Sequence, residues 1–129
     1  MKKGLFFFLL LLMIVFPALS KGKFKVCGSR TLDIGEYPFV KDSVQVFHFN
    51  FVNSGDSLLT IVDVVPNCVC MEASWTQQPL APGDTGSIYV LYKANKPGHF
   101  KHMVTVVGNG FPEWDYIYVE GTAIEMLNE

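Results

Sequence analysis

The chain has 129 residues, half of them hydrophobic, with ten basic and twelve acidic side chains and three cysteines. That length suits one domain and leaves no room for a second core. Without Lys2 and Lys3, eight basic side chains stand against twelve acidic ones, a formal charge of −4. Duplex binding is driven by phosphate neutralisation, so this balance argues against nucleic acid as a partner, and the Lys21, Lys23, Lys25 cluster reads as a solvated tail.

Met1-Lys2-Lys3-Gly4 leads into an uninterrupted apolar run from Leu5 to Phe16, followed by Pro17-Ala18-Leu19-Ser20-Lys21. A basic start, an apolar core and small residues at Ala18 and Ser20 have the layout of a secretory signal cleaved after Ser20. A helix over that run reaches only about 18 Å, short of the roughly 30 Å hydrocarbon core, so no membrane span is expected once the signal is removed. The expected organisation is a signal over 1–20, an N-terminal segment over 21–31, one β-sandwich domain over 32–124 and a tail over 125–129. The expected address is the periplasm, the cell surface or the medium.

From Lys23 to Gly35 the pattern is weakly strand-like and reads as an edge strand, and Glu36 to Asp42 reads as a loop because Pro38 cannot donate to a sheet ladder. Phe47, Phe49 and Phe51 then alternate, so all three rings leave one face of an extended chain. Asn53-Ser54-Gly55-Asp56 carries turn chemistry, and the β-branched run Thr60 to Val65 follows. Together these predict a β-hairpin. Met71 to Trp75 is short and extended, and Thr76 to Gly86 is a polar loop around Pro82-Gly83. Three further strands are expected: one with Ile88, Val90 and Tyr92 inward, and a pair over 100–107 and 114–123 joined by Gly108-Asn109-Gly110-Phe111-Pro112. No stretch after the apolar run sustains a helical period. The fold class is all-β: an immunoglobulin-like antiparallel β-sandwich of about seven strands.

The ordered set Phe49-x-Phe51-x-Asn53-x-Gly55, Leu59-x-Ile61-x-x-Val64, Cys68-x-Cys70, Trp75, Pro79-x-x-Pro82-Gly83-x-x-Gly86-x-Ile88-x-Val90, Gly98-x-Phe100, Val104-x-Val106 and Val119-x-Gly121 resembles a bacterial exported family, the domain of unknown function numbered 1573. The likeness covers about Asp33 to Ala123. It implies an exported immunoglobulin-like sandwich, related in architecture to major sperm protein and Hydin-type domains, and brings no catalytic residues. The family usually has Gly between its cysteines and Thr after them, where this chain has Val69 and Met71. Loss of that Gly argues against a tight turn between the sulfurs.

Three cysteines in an exported chain allow three single pairings, each leaving one thiol over. Cys68 and Cys70 share a face if extended, with Cα atoms roughly 6.5 to 7 Å apart, at the upper limit for a direct bond. Three readings follow. The pair is structural, as packed thiols or with one member bonded to Cys27; or it holds a soft metal such as Cu(I), with Met71 adjacent; or it is a labile redox disulfide. His99 and His102 face opposite ways in a strand and are poor joint ligands, and His48 alternates with the phenylalanine face and so belongs outside. No Gly-x-Ser-x-Gly elbow, His-Glu-x-x-His or phosphate-binding glycine loop occurs, so no catalytic or cofactor-binding residue is expected and the chain is not read as an enzyme.

Tyr89, Tyr116 and Tyr118, with Met103 and Val107, fall opposite the inward residues of their strands and suggest an aromatic outer patch of the kind used in protein contacts. The expected function is a non-catalytic interaction module without cofactor, whose partner is another exported or cell-envelope protein. The alternative is a thiol-based metal-binding or redox protein centred on Cys68 and Cys70.

Overall fold

The computed structural model describes residues 21–126, so the signal-like segment over 1–20 lies outside the described residues. Eight strands follow in chain order: β1 (Phe24–Val26), β2 (Thr31–Pro38), β3 (Val44–Asn53), β4 (Ile61–Pro66), β5 (Met71–Trp75), β6 (Thr85–Lys93), β7 (Gly98–Gly108) and β8 (Trp114–Ile124). They form two four-stranded sheets, one in the order β1-β3-β6-β5 and the other β2-β8-β7-β4. Among the described residues no helix is long and apolar enough to cross a membrane.

Alternation drives the packing. Phe47, Phe49 and Phe51 on β3 meet Ile88, Val90 and Tyr92 on β6 within one sheet, and face Phe100, Val104 and Val106 on β7 with Ile117 and Val119 on β8 across the sandwich. Every one of these side chains is buried, which at about 1.5 to 3 kcal/mol for each large aliphatic or aromatic group is the main force holding the sheets together. The alternating residues of these strands form the core as their pattern predicts, and Trp75 at the end of β5 packs against it half-buried, its indole N–H donating to the Ile61 carbonyl at 3.2 Å.

The strands number eight rather than about seven because the segment read as one edge strand is two. β1 pairs with β3, and after Gly28, whose φ of 94° is the left-handed conformation that favours glycine, the chain crosses to the opposite sheet. There β2 pairs with β8 in parallel, so that sheet is mixed rather than wholly antiparallel. β2 also runs on through Pro38, which the edge position tolerates.

The expected hairpin is also corrected: β3 and β4 lie in different sheets. The cause is Asn53, fully buried at the end of β3. Its side-chain oxygen accepts from the Lys23 and Gly55 amides, each at 3.0 Å, and its side-chain nitrogen donates to the Ser57 and Leu80 carbonyls at 2.7 and 2.8 Å. Leu59 then forms a two-way bridge with Leu80, and the Thr60 amide donates to the Asn109 side chain, which directs the chain onto the edge beside β7. β4 and β5 therefore belong to different sheets, and the connection between them spans one end of the sandwich. That connection holds Cys68 and Cys70.

Candidate functional site

The turn is tied to both sheets. On its β4 side the Asn67 amide donates to the Met103 carbonyl at 3.1 Å, and on its β5 side the Cys70 carbonyl accepts from the Lys93 amide at 3.0 Å. Within it the Met71 amide donates back to the Cys68 carbonyl at 3.2 Å, closing a four-residue turn. The Cα atoms of Cys68 and Cys70 thereby come to 5.1 Å, inside the usual disulfide range, and the two sulfurs are bonded. Val69 reaches this turn without a positive φ; among the described residues Asp42 is the one non-glycine residue that has it. The missing Gly therefore does not prevent a tight turn, because a turn without a left-handed residue accepts valine. Val69 itself is fully exposed at the tip.

This pairing excludes the structural alternative that joined one of the two to Cys27. Cys27 is a free, exposed thiol whose amide bonds Asn50, whereas Cys70 bonds Lys93, the register partner of Val44. Six residues along β3 and three strands across the sheet put the two sites more than about 20 Å apart, far outside disulfide reach.

His102 joins the pair. On β7 it shares the inward face of Phe100, Val104 and Val106, but where they are buried it is half-buried and lines a hollow with the two cysteines. One of its ring nitrogens and the two sulfurs all lie within 4.8 Å of one another, each residue half-buried. Tyr92 and Phe100 stack at 4.1 Å beneath it, with the Tyr92 ring 5.5 Å from the imidazole. Burial in this setting holds the His102 pKa below the usual histidine value and favours the neutral ring. A neutral imidazole beside two sulfurs offers a proton acceptor or a nitrogen ligand. Met71, expected beside the sulfurs, is instead buried in the core at 5 % exposure.

Two hollows flank the turn and both include Cys70. One, of about 380 Å³, is lined by Cys68, His102, Tyr92, Lys96 and His99; the other, of about 480 Å³, by Val44, Val69, Leu91, Glu72 and Lys93. His99 does not turn toward the sulfurs. It contacts Thr122 at 3.0 Å and Glu120 at 3.1 Å on the outer face, opposite His102 as alternation requires. His48 lies outside on the other sheet, stacked on Tyr89 at 4.4 Å.

The three tyrosines do not make one patch. Tyr89 lies on β6, whereas Tyr116 and Tyr118 lie on β8 in the opposite sheet, so they occupy opposite outer faces. Around the latter pair, Thr105 and Met103 are the register partners on β7, and Trp114 is exposed next to Val107.

The family model described as "Protein of unknown function (DUF1573)" matches residues 26–123. The chain belongs to this family. No curated protein matches the chain in sequence. Among solved structures it is similar to a protein of unknown function from Porphyromonas gingivalis W83, with a TM-score of 0.67 and 15 % identity over 84 % of this chain and 50 % of that one. It is also similar to the Vibrio cholerae VesB protease, with a TM-score of 0.58 and 13 % identity over 80 % of this chain and 31 % of that one. The ASH / PapD-like domain of human CEP192 gives a TM-score of 0.55 and 11 % identity, over 88 % and 92 % of the two chains. The DUF1573 chain thus spans half the length of the Porphyromonas protein and under a third of the protease. At these identities the likeness shows a shared immunoglobulin-like, PapD-like sandwich fold and nothing of activity.

Proposed function

We propose that this DUF1573 chain is an exported β-sandwich module whose chemistry is a thiol–disulfide couple at Cys68 and Cys70, served by His102. The signal-like run from Leu5 to Phe16 supports an oxidising, exported setting. The observation that carries the reading is that the disulfide closes a loop of only three residues at a half-exposed turn bordering two hollows. Cross-linking so short a loop removes little entropy from the unfolded chain, about 1.6 kcal/mol by the loop-closure relation against about 3 kcal/mol for fifteen residues. Such a bond is a weak staple and an accessible electrophile.

Exchange begins when an external thiolate attacks Cys70 Sγ. The Cys68–Cys70 bond breaks and its electron pair leaves on Cys68 Sγ, which the Cys70 amide donates to at 3.1 Å. A second external thiol then resolves the mixed disulfide, so two thiols are oxidised to one disulfide and the protein gains two cysteine thiols. His102 accepts the proton of an incoming thiol. The exchange is stoichiometric with a partner, and the module is not an enzyme in this reading. A Cys68→Ser chain exposed to glutathione disulfide is expected to accumulate a mixed disulfide on Cys70, located by peptide mass mapping. Modification of Cys70 no faster than that of exposed Cys27 contradicts the assignment.

A second reading, an interaction module whose partner is another exported or cell-envelope protein, draws support from the β8 face. Trp114 and Tyr116 are exposed there, and Tyr118, Met103 and Val107 beside them are half-buried. Tyr116→Ser with Tyr118→Ser is expected to abolish partner capture while the domain stays folded, and Tyr89→Ser to leave it intact. Capture that survives the double change counts against this reading.

A further inference from the structure

We propose that the dithiol form of the same turn is a soft-metal site, with Cys68 Sγ, Cys70 Sγ and an imidazole nitrogen of His102 binding one Cu(I). The inference rests on the thiol–disulfide reading above, because only the reduced pair has thiolates to offer. Reduction takes the form already given: two equivalents of an external thiol deliver two electrons, the sulfur–sulfur bond breaks and two cysteine thiols result. Binding then displaces the thiol protons to solvent, and no further redox change is needed.

The geometry points to this class of ion. Metal–sulfur bonds of about 2.3 Å and metal–nitrogen bonds of about 2.0 Å place ligand atoms no more than about 4.6 Å apart. The three donor groups already lie within 4.8 Å of one another with the sulfurs still bonded, so on reduction the two sulfurs need only part by rotation of their side chains to admit an ion within reach of the imidazole. The backbone is held on both sides, by the Asn67-to-Met103 bond toward β7 and the Lys93-to-Cys70 bond toward β6, so His102 and the turn approach from two sheets at a fixed separation. The Cys70 amide already points at Cys68 Sγ and supports a thiolate there. Two sulfurs and one imidazole with no carboxylate in the group suit a thiophilic ion and not a hard one. Three protein donors complete a trigonal Cu(I) but leave Zn(II) one short of its usual four. Two thiolates with Cu(I) carry a net charge of −1, and Lys96 lines the same hollow. The disulfide is then the gate: oxidation removes both sulfur ligands at once.

The test is anaerobic titration of the protein, reduced with a phosphine, with Cu(I), followed by metal analysis, thiol counting and X-ray absorption on the same sample. The expected result is one Cu(I) per chain with two sulfur and one nitrogen ligands. His102→Gln is expected to lose the nitrogen signal and at least about tenfold in affinity, and Cys68→Ser to lose tight binding. His102→Phe, which keeps an aromatic ring against Tyr92, separates loss of a ligand from loss of packing. Two new thiols on reduction with no copper bound would overturn the metal site while leaving the redox couple standing. No new thiols would overturn both. Unchanged affinity and spectrum in both His102 variants would remove His102 from the site.

Discussion

The backbone N–H of Cys70 donates to the sulfur of Cys68 across 3.1 Å, within a turn closed by the Met71 amide on the Cys68 carbonyl. The two cysteines are therefore unequal: Cys68 has a donor in place for a negative charge, which makes it the better leaving group.

The first expected outcome concerns stability. Because the bond spans three residues, Cys68→Ser with Cys70→Ser should lower the free energy of unfolding by only about 1 to 2 kcal/mol, and reduction of the native chain should do the same. Urea denaturation with and without reductant checks this. A loss above about 4 kcal/mol would make the disulfide a structural staple.

Asn53 is the opposite case. Its amide satisfies two amides and two carbonyls in a fully buried position. Asn53→Ala leaves the Lys23 and Gly55 amides and the Ser57 carbonyl without that partner, while the Leu80 carbonyl keeps the Leu59 amide; at about 1 to 3 kcal/mol for each one that stays buried, a loss of at least about 3 kcal/mol is expected. Chemical denaturation measures it, and a loss below about 1 kcal/mol would show that β3 and β4 are parted by something else.

The segment just after the signal-like run is seated between two glycines. A Cβ at Gly55 would fall on the Lys21 carbonyl oxygen, and one at Gly110 on that of Gly22, both backbone atoms that cannot swing aside. Gly55→Ala and Gly110→Ala should each destabilise by about 1 to 3 kcal/mol, read as a lower midpoint in thermal unfolding. Midpoints equal to that of the native chain would mean that residues 21–23 are not part of the packed fold.

Tyr37 and Tyr92 predict an alkaline limit. Burial raises both pKa values, and for Tyr37 the neighbouring Tyr92 raises it further. Unfolded tyrosines ionise near pH 10, so above that pH the unfolded state loses protons first and stability falls as pH rises, while below it these groups leave stability unchanged. The buried Tyr37 hydroxyl has no hydrogen-bond partner among the described residues. Tyr37→Phe should then make the fall above pH 10 shallower at no cost in stability near neutrality. Equal slopes for the native and Tyr37→Phe chains, measured by denaturation from pH 9 to 11, would contradict the assignment.

The sandwich class was legible because Phe47, Phe49 and Phe51, then Ile88, Val90 and Tyr92, write their burial at period two. Which sheet a strand joins was not. Asn53-Ser54-Gly55-Asp56 has the local chemistry of a hairpin turn, but the deciding bond runs from Asn53 to the Leu80 carbonyl, 27 residues away. The site was half legible. Cys68 and Cys70 stand out by spacing, and alternation separates His99 from His102. No local pattern announces that β7 and the turn meet, since that follows from β4 pairing with β7. The signal available was a histidine on an otherwise apolar inward face. The tyrosines misled for the same reason: alternation places each outside its own sheet without saying which sheet.

The most direct test of the central claim is a redox titration of the folded protein in glutathione buffers, with alkylation and mass counting of Cys27, Cys68 and Cys70. Cys68 and Cys70 are expected to convert together in one two-electron step within the glutathione range while Cys27 stays outside that step. A pair that stays fully bonded, or fully reduced, at every ratio would contradict it.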